Sequence, residues 1–228
     1  MAFHRKHEHL SSLSPDLAVV PECATRQRVS PLAPGFRPTA WHWTGTDTPT
    51  GRSKGLAVFS FGQTTLEPVE ISLVDRHFLV LDVRGPLPFT LVAVWPLPDA
   101  SRSYVRPIQR TLTALDGLLR KGPAVVLGDF NAGSGFLGGR TKGRFPDLAA
   151  QLEDLGLASA YHSHHSFPYG AEGEPTHFLH RSVEKPFHID YVFVPRAWLA
   201  RIRSVTLGGA SWLRHSDHVP LRIELSLT

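Results

Sequence analysis

Four apolar runs in this chain each carry an acidic residue at or near their end, and they follow one another in a fixed order. They are Val19-Val20-Pro21-Glu22, Val125-Val126-Leu127-Gly128-Asp129-Phe130-Asn131, His188-Ile189-Asp190-Tyr191-Val192-Phe193 and Ser216-Asp217-His218-Val219-Pro220-Leu221. Short β-branched runs read as buried strands, and a carboxylate within or ending one sits where the strand reaches the rim of its sheet. A fold that accommodates all four brings those rims together. The pattern therefore predicts carboxylates converging on one pocket, which is the architecture of a site for a hard divalent cation.

With 228 residues the chain suits one domain with a two-layer core, so residues 1–228 are read as a single unit. Cys23 is the only cysteine, which excludes an intramolecular disulfide and a zinc site built on thiolates. That usage fits a reducing compartment. No stretch approaches the roughly 18 apolar residues that span a bilayer, and the N-terminus is too polar for a signal peptide. A soluble, cytoplasmic protein is the resulting expectation. The net charge of +4 suits a polyanionic substrate and equally suits plain solubility.

Periodicity gives a coarse map. A helical pattern over Phe3 to Leu13 stops at Ser14-Pro15-Asp16, and a strand follows over Leu17 to Val20. Arg28 to Lys54 is rich in Pro, Gly and Thr and reads as loop, with one short strand at Trp41-His42-Trp43 before strand character resumes at Gly55 to Ser60. Strands are predicted over His77 to Val83 and Phe89 to Trp95, joined by a turn at Gly85-Pro86. Leucines at helical spacing place helices over Tyr104 to Arg120 and Phe145 to Leu155, and the C-terminal third reads mostly as strands. The run His162-Ser163-His164-His165 is read as an exposed polar loop in preference to a transition-metal site.

The early Glu22, Gly128-Asp129-Phe130-Asn131, Ile189-Asp190-Tyr191 and Ser216-Asp217-His218, in that order, resemble the endonuclease/exonuclease/phosphatase superfamily, in its exonuclease III, apurinic endonuclease and deoxyribonuclease I-like branches. The likeness runs from about Glu22 to His218. It implies an α/β sandwich of two face-to-face sheets with helices outside, the site at one edge, and hydrolysis of a phosphodiester assisted by magnesium, with manganese as the alternative ion. On the same resemblance Glu22 and Asp217 are metal ligands, Asp129 accepts a proton from the attacking water, Asn131 binds the phosphate or water, and Asp190 orients His218 so that its protonated ring stabilises the phosphate. As readings of the bare residues, Asn131 is equally a turn residue before Gly133, and an Asp-His pair is equally a salt link.

Weaker candidates are Thr176 and His177, which precede the Ile-Asp-Tyr strand where the resemblance implies a Thr that contacts phosphate or the catalytic Asp, and Tyr104, for phosphate contact, at the start of the Arg106-bearing helix. A strand-start Thr is ordinary in its own right. Nucleic acid is the implied partner: Arg102, Arg106, Arg110, Arg140, Lys142 and Arg144 would meet its backbone, and Trp41, Trp43 or Phe136 would stack on a base unless they belong to the core. A small or lipid phosphoester, or a non-catalytic role in holding a phosphorylated ligand, are the alternatives. Two departures stand out. Family members begin with a strand that carries an Asn, whereas no Asn precedes Asn131 here, so a strand encoded upstream of Met1 is expected. Trp95 also stands where the deoxyribonuclease and sphingomyelinase branches place a His that protonates the leaving group.

Overall fold

The computed structural model describes residues 3–134 and 144–227. Its strands are β1 (Leu17–Cys23), β2 (Ala40–Asp47), β3 (Ser53–Ser60), β4 (Thr65–Pro68), β5 (Phe78–Arg84), β6 (Phe89–Val94), β7 (Ala124–Asp129), β8 (Leu157–Ser159), β9 (His177–Phe178), β10 (Pro186–Phe187), β11 (Asp190–Pro195), β12 (Ile202–Leu207) and β13 (Leu221–Leu225). The helices are α1 (His7–Ser12), α2 (Arg26–Val29), α3 (Val105–Leu119), α4 (Phe145–Asp154) and α5 (Ala160–His165), with several short 3-10 turns between elements.

Six strands form one sheet in the order β4-β5-β6-β7-β11-β8, and three more form a second, β1-β3-β2. Two pairs, β9 with β10 and β12 with β13, complete the strand set. All pairings are antiparallel except β6 with β7, where α3 supplies the crossover that a parallel pair requires. The sheets pack through Leu56 and Val58 of β3 against Leu66, Leu81, Val83, Leu91 and Ala93. The opposite face of the large sheet is covered by α3 and α4. Helix α3 buries Val105, Ile108, Leu112, Leu115 and Leu119, a single stripe at helical spacing. It ends just before Gly122-Pro123, and at its start the Arg106 amide donates to Ser103 Oγ. The outer face of the small sheet is sealed by Phe3 and Phe36, which pack on Phe59. The result is the two-sheet α/β sandwich with external helices.

Two local readings change. The Arg28 to Lys54 loop contains an eight-residue strand, β2, and not only its Trp41 to Trp43 centre; it pairs with β3 over its full length, so tertiary pairing overrides the Gly and Thr content. Gly45 and Gly55 face each other in that pair, and a Cβ on either would strike the other strand. Strand β4 is held by pairing to β5. The histidine run forms α5 in place of an exposed loop, capped where Ser159 accepts from the His162 amide. His162 is buried, its ring bonded to Ser159 Oγ at 2.8 Å and to Glu172 Oε1 at 3.1 Å. Among the described helices none is long and apolar enough to cross a membrane.

The His162–Glu172 latch gives a pH signature. Burial alone would raise the Glu172 pKa, but the His162 ring and the Gly170 amide more than offset it and bring it down to about 2. A carboxyl depressed in the fold contributes stability that is complete above its ordinary value of 4.5 and fades as pH falls toward 2. Glu172→Gln is therefore expected to lower Tm by about 5 °C at pH 6, since a charge-assisted bond contributes roughly 1.5–3 kcal/mol. Thermal melts between pH 6 and pH 3 should show the gap narrowing; a gap that stays constant would contradict the latch.

Candidate active site

The site begins with an unfavourable pairing. In the antiparallel register of β7 and β11, Asp129 lies directly opposite Asp190 at the end of both strands. Like charges placed opposite one another destabilise a sheet, so this arrangement needs compensation. Burial first, then the Asp190 charge, push the Asp129 carboxyl well above the usual carboxylate range, while His218 and the Asn131 amide pull the other way. Asn131 takes a left-handed conformation at φ 50°. That turn brings its backbone amide to Asp129 Oδ1 at 2.8 Å and its side-chain Nδ2 to Oδ2 at 3.2 Å. Gly128 is required beneath them: it has φ 145°, and a Cβ there would collide with the Val94 carbonyl on β6.

His218 supplies the positive charge. Its Nδ1 donates to Asp190 Oδ2 at 2.8 Å, and its Nε2 lies 4.0 Å from Asp129 Oδ2. Burial alone would lower the ring's pKa; the Asp190 contact, with Asp129 and Asp217, outweighs it, and the ring titrates well above its ordinary value. One potential ligand atom from each of Asp129, Asp190 and His218 falls within 4.8 Å of the others.

Thr176 joins these pieces. It is fully buried, and its Oγ1 accepts the amides of Ile189 and Asp190 at 3.0 and 3.1 Å. Its backbone NH donates to Phe187 and its carbonyl accepts from Val219. One residue thus ties the Asp190 strand to the Asp217-His218 segment. The hydroxyl is thus engaged with the Asp190 strand, the alternative that the resemblance offers beside a phosphate contact. His177 bridges His218 along the backbone and lies 4.5 Å from it ring to ring. Burial, then the charge of His218, lower its pKa, so His177 is neutral beside a charged neighbour.

Glu22 sits on the rim of the same cavity as Asp129, Asp190, Asp217 and His218. It occupies a bulge in β1 at φ 59°, and its carboxylate pairs with Lys54 Nζ at 2.7 Å. Burial would raise the Asp217 pKa, but its own amide, His218, His177 and Lys6 hold it below the ordinary value. Two residues join the site without a signal in the sequence: Lys6, whose Nζ donates to Ser216 Oγ at 3.1 Å, and Lys54, which also lies 5.3 Å from the centre of the Trp95 ring. Neither residue stands in a recognisable motif. Oxygen donors of this number suit a hard cation such as magnesium or manganese better than a thiophilic metal, and a cation would relieve the opposition of Asp129 and Asp190.

Other candidates are placed elsewhere. Tyr104 precedes the first turn of α3 and does not line the cavity. Arg110 is engaged by Asp75 and Asp99, and Arg144 by Asp147. Trp41 packs edge-on against Phe36 and Phe59, and Trp43 Nε1 donates to the Cys23 carbonyl, so both serve the core in place of stacking on a base. Arg140, Lys142 and Phe136 lie outside the described residues.

The sequence and the fold both have counterparts among known proteins. The model of a family described as Endonuclease/Exonuclease/phosphatase family matches residues 7–218. Among solved structures, a 3′ phosphatase from Neisseria bound to product DNA hairpin aligns with a TM-score of 0.71 at 20% identity, over 99% of this chain and 96% of the other. An AP endonuclease from Archaeoglobus fulgidus aligns with a TM-score of 0.71 at 16% identity, over 98% and 93%. A 3′-5′ exonuclease from Neisseria meningitidis gives 0.67 at 20% identity, over 98% and 96%. No curated protein matches the sequence.

The Thr176 joint is testable apart from any activity. Thr176→Val leaves two amides without their acceptor, at about 1–3 kcal/mol each, and is expected to lower Tm by about 5–10 °C. Thr176→Ser keeps the hydroxyl and should melt within about 2 °C of the parent. Equal melting of the Val variant and the parent would show that the hydroxyl holds nothing.

Proposed function

The chain belongs to the endonuclease/exonuclease/phosphatase family, and on that premise we propose that it is a divalent-metal-dependent phosphodiester hydrolase acting on DNA or RNA. The observation that carries this reading is the confrontation of the buried Asp129 with Asp190, bridged by His218. Such an arrangement costs stability and has no use in the sandwich itself.

The residues divide the work. Asp129, with its carboxyl pushed upward by burial and by Asp190, is a base matched to near-neutral pH and takes the proton of the attacking water. Asn131, holding both Asp129 oxygens, fixes the direction in which that carboxylate faces. Asp190 holds His218 through Nδ1 and keeps the ring charged, leaving Nε2–H to donate to a phosphate oxygen as negative charge builds there. Glu22 and Asp217 are the carboxylates that would hold the metal, whose charge when bound polarises the phosphoryl group and eases departure of the leaving oxygen. Lys54 and Lys6 add positive charge at the rim, where a polyanion would approach. That the Neisseria 3′ phosphatase is bound to a DNA product and the Archaeoglobus protein is an AP endonuclease supports nucleic acid as the substrate class.

Hydrolysis of a labelled DNA duplex with one abasic site, beside a generic phosphodiester, tests the reading. Cleavage should require magnesium or manganese and stop with chelator. His218→Ala and Asp129→Asn should each lower the rate by about 10²–10⁴-fold, and Asp129→Asn, which removes one of the two opposed charges, should melt at or above the parent's temperature. Absence of turnover on both substrates by folded, metal-supplied protein would sink the proposal. Binding provides a second measurement: for a nucleic acid, log affinity falls linearly with log salt by about 0.9 per phosphate contact, and an affinity indifferent to salt would point to a small phosphoester.

A further inference from the structure

The mouth of the site is flanked on one side by cations drawn from three distant parts of the chain. Lys6, which precedes α1, donates to Ser216 Oγ at 3.1 Å, and the same oxygen accepts the His218 amide at 3.2 Å. Arg181, in the turn between β9 and β10, donates to the Arg214 carbonyl at 3.4 Å, and Arg214 is itself exposed. The rings of His9 and His215 lie 3.9 Å apart beside them. Loss of solvation, then the charges of His9, Arg214, Arg181 and Lys6, lower the His215 pKa, so one ring lies within electrostatic reach of all four.

Two observations set this patch apart from an ordinary charged surface. Several other arginines are set against carboxylates, Arg28 with Asp47, Arg84 with Glu67, Arg120 with Asp116 and Arg196 with Glu153. In the patch cation is set against cation, an arrangement that is unfavourable until an anion neutralises it. The second observation is backbone strain. His180 and Arg181 take left-handed conformations in succession, at φ 56° and 60°, a region that side chains of their size seldom occupy. Strain of this kind persists only where the surroundings impose it, and it gathers at ligand clamps.

We propose that Lys6, Arg181 and Arg214 hold backbone phosphates of a nucleic-acid strand on one side of the scissile phosphate, an assignment that rests on the hydrolase reading of Asp129, Asp190 and His218 and adds the length of the substrate. A polynucleotide, and not a small phosphoester, is then what the site takes. Arg214 stands four residues before His218, so their Cα atoms are at most about 14 Å apart, or roughly four nucleotide steps along a duplex. A guanidinium presents a planar fork of N–H donors that fits a phosphate, and it stays charged at any working pH. Contacts of this kind position a strand without reading its bases. The patch thus sets the register in which one phosphodiester, and not its neighbour, meets the acidic cluster. A substrate with a single phosphate has nothing to place there.

The experiment measures binding of a labelled DNA duplex with one abasic site as salt is raised, in magnesium and in an Asp129→Asn background so that the duplex is not consumed. Arg214→Gln is expected to lower the slope of log affinity against log salt by about one, and Arg181→Gln with Arg214→Gln by about two. Each lost contact should weaken binding roughly ten-fold at about 0.1 M salt. Arg214→Lys keeps the charge and should hold the slope. Arg120→Gln removes the same charge from an exposed ion pair at the end of α3 and should leave the slope as it was. Uncharged methylphosphonate linkages within about four nucleotides of the abasic site should erase the difference between the double variant and its background. A double variant with an unaltered slope, a loss matched by Arg120→Gln, or a difference that survives the neutral linkages would each overturn the proposal. Cleavage assays with Asp129 intact separate the two ideas. A slope that depends on Arg181 and Arg214 without turnover keeps the patch and removes the hydrolase, and turnover with a slope indifferent to both arginines does the reverse.

Discussion

Two carboxylates held face to face at the ends of neighbouring strands set the terms for the rest of the molecule. Asp129 and Asp190 are register partners in the centre of the large sheet, and nothing in strand pairing favours that meeting. Everything around them works against its cost. His218 lies across the pair with a hydrogen bond to one and a charge near the other. Asn131 turns back to occupy both oxygens of Asp129, and Gly128 lets the backbone pass close under Val94. The charge remaining is negative, which is the condition under which a cation binds and a nearby acid gains basicity.

Holding three chain segments in that relation takes one buried residue with no charge at all. Thr176 accepts two amides from the Asp190 strand through its hydroxyl and one from the Asp217-His218 segment through its carbonyl. The carboxylates and the imidazole are fixed because their backbones are fixed, so the positioning is older in the causal chain than any contact among the side chains. Val126 of β7 and the helices packed over it give this joint its base. The site therefore rests on regular structure, while its chemistry is displayed on strand ends and short turns.

Much of this could be read from residue order. The apolar runs beside Glu22, Asp129 and Asp190 mark strands because burial demands apolar side chains, and each of these carboxylates lies where its strand reaches the rim, whereas Asp217 lies in a bend ahead of β13. Helices α3 and α4 were legible from leucine spacing, since a helix over a sheet buries one stripe. Strand β2 was largely hidden, because its Gly45 and Thr content reads as loop until β3 is set beside it. The histidine run looked solvated, and His162 turned out to be buried because Glu172, ten residues on, meets it inside the fold. Lys6 and Lys54 carried no pattern in the sequence at all; only the folding of distant strands brings them to Ser216 and Glu22.

The sequence by itself determined the family, the two-sheet class and the list of acidic residues, because each of these depends on local pattern and on the order of short motifs. Tertiary structure decided the rest: which carboxylates oppose one another, which way the His218 ring is held, that Thr176 serves the backbone, and that Trp41 and Trp43 are core. Those facts depend on register and on contacts between residues far apart in the chain. A one-residue slip would turn every side chain of β11 to the other face without altering a single letter of its pattern.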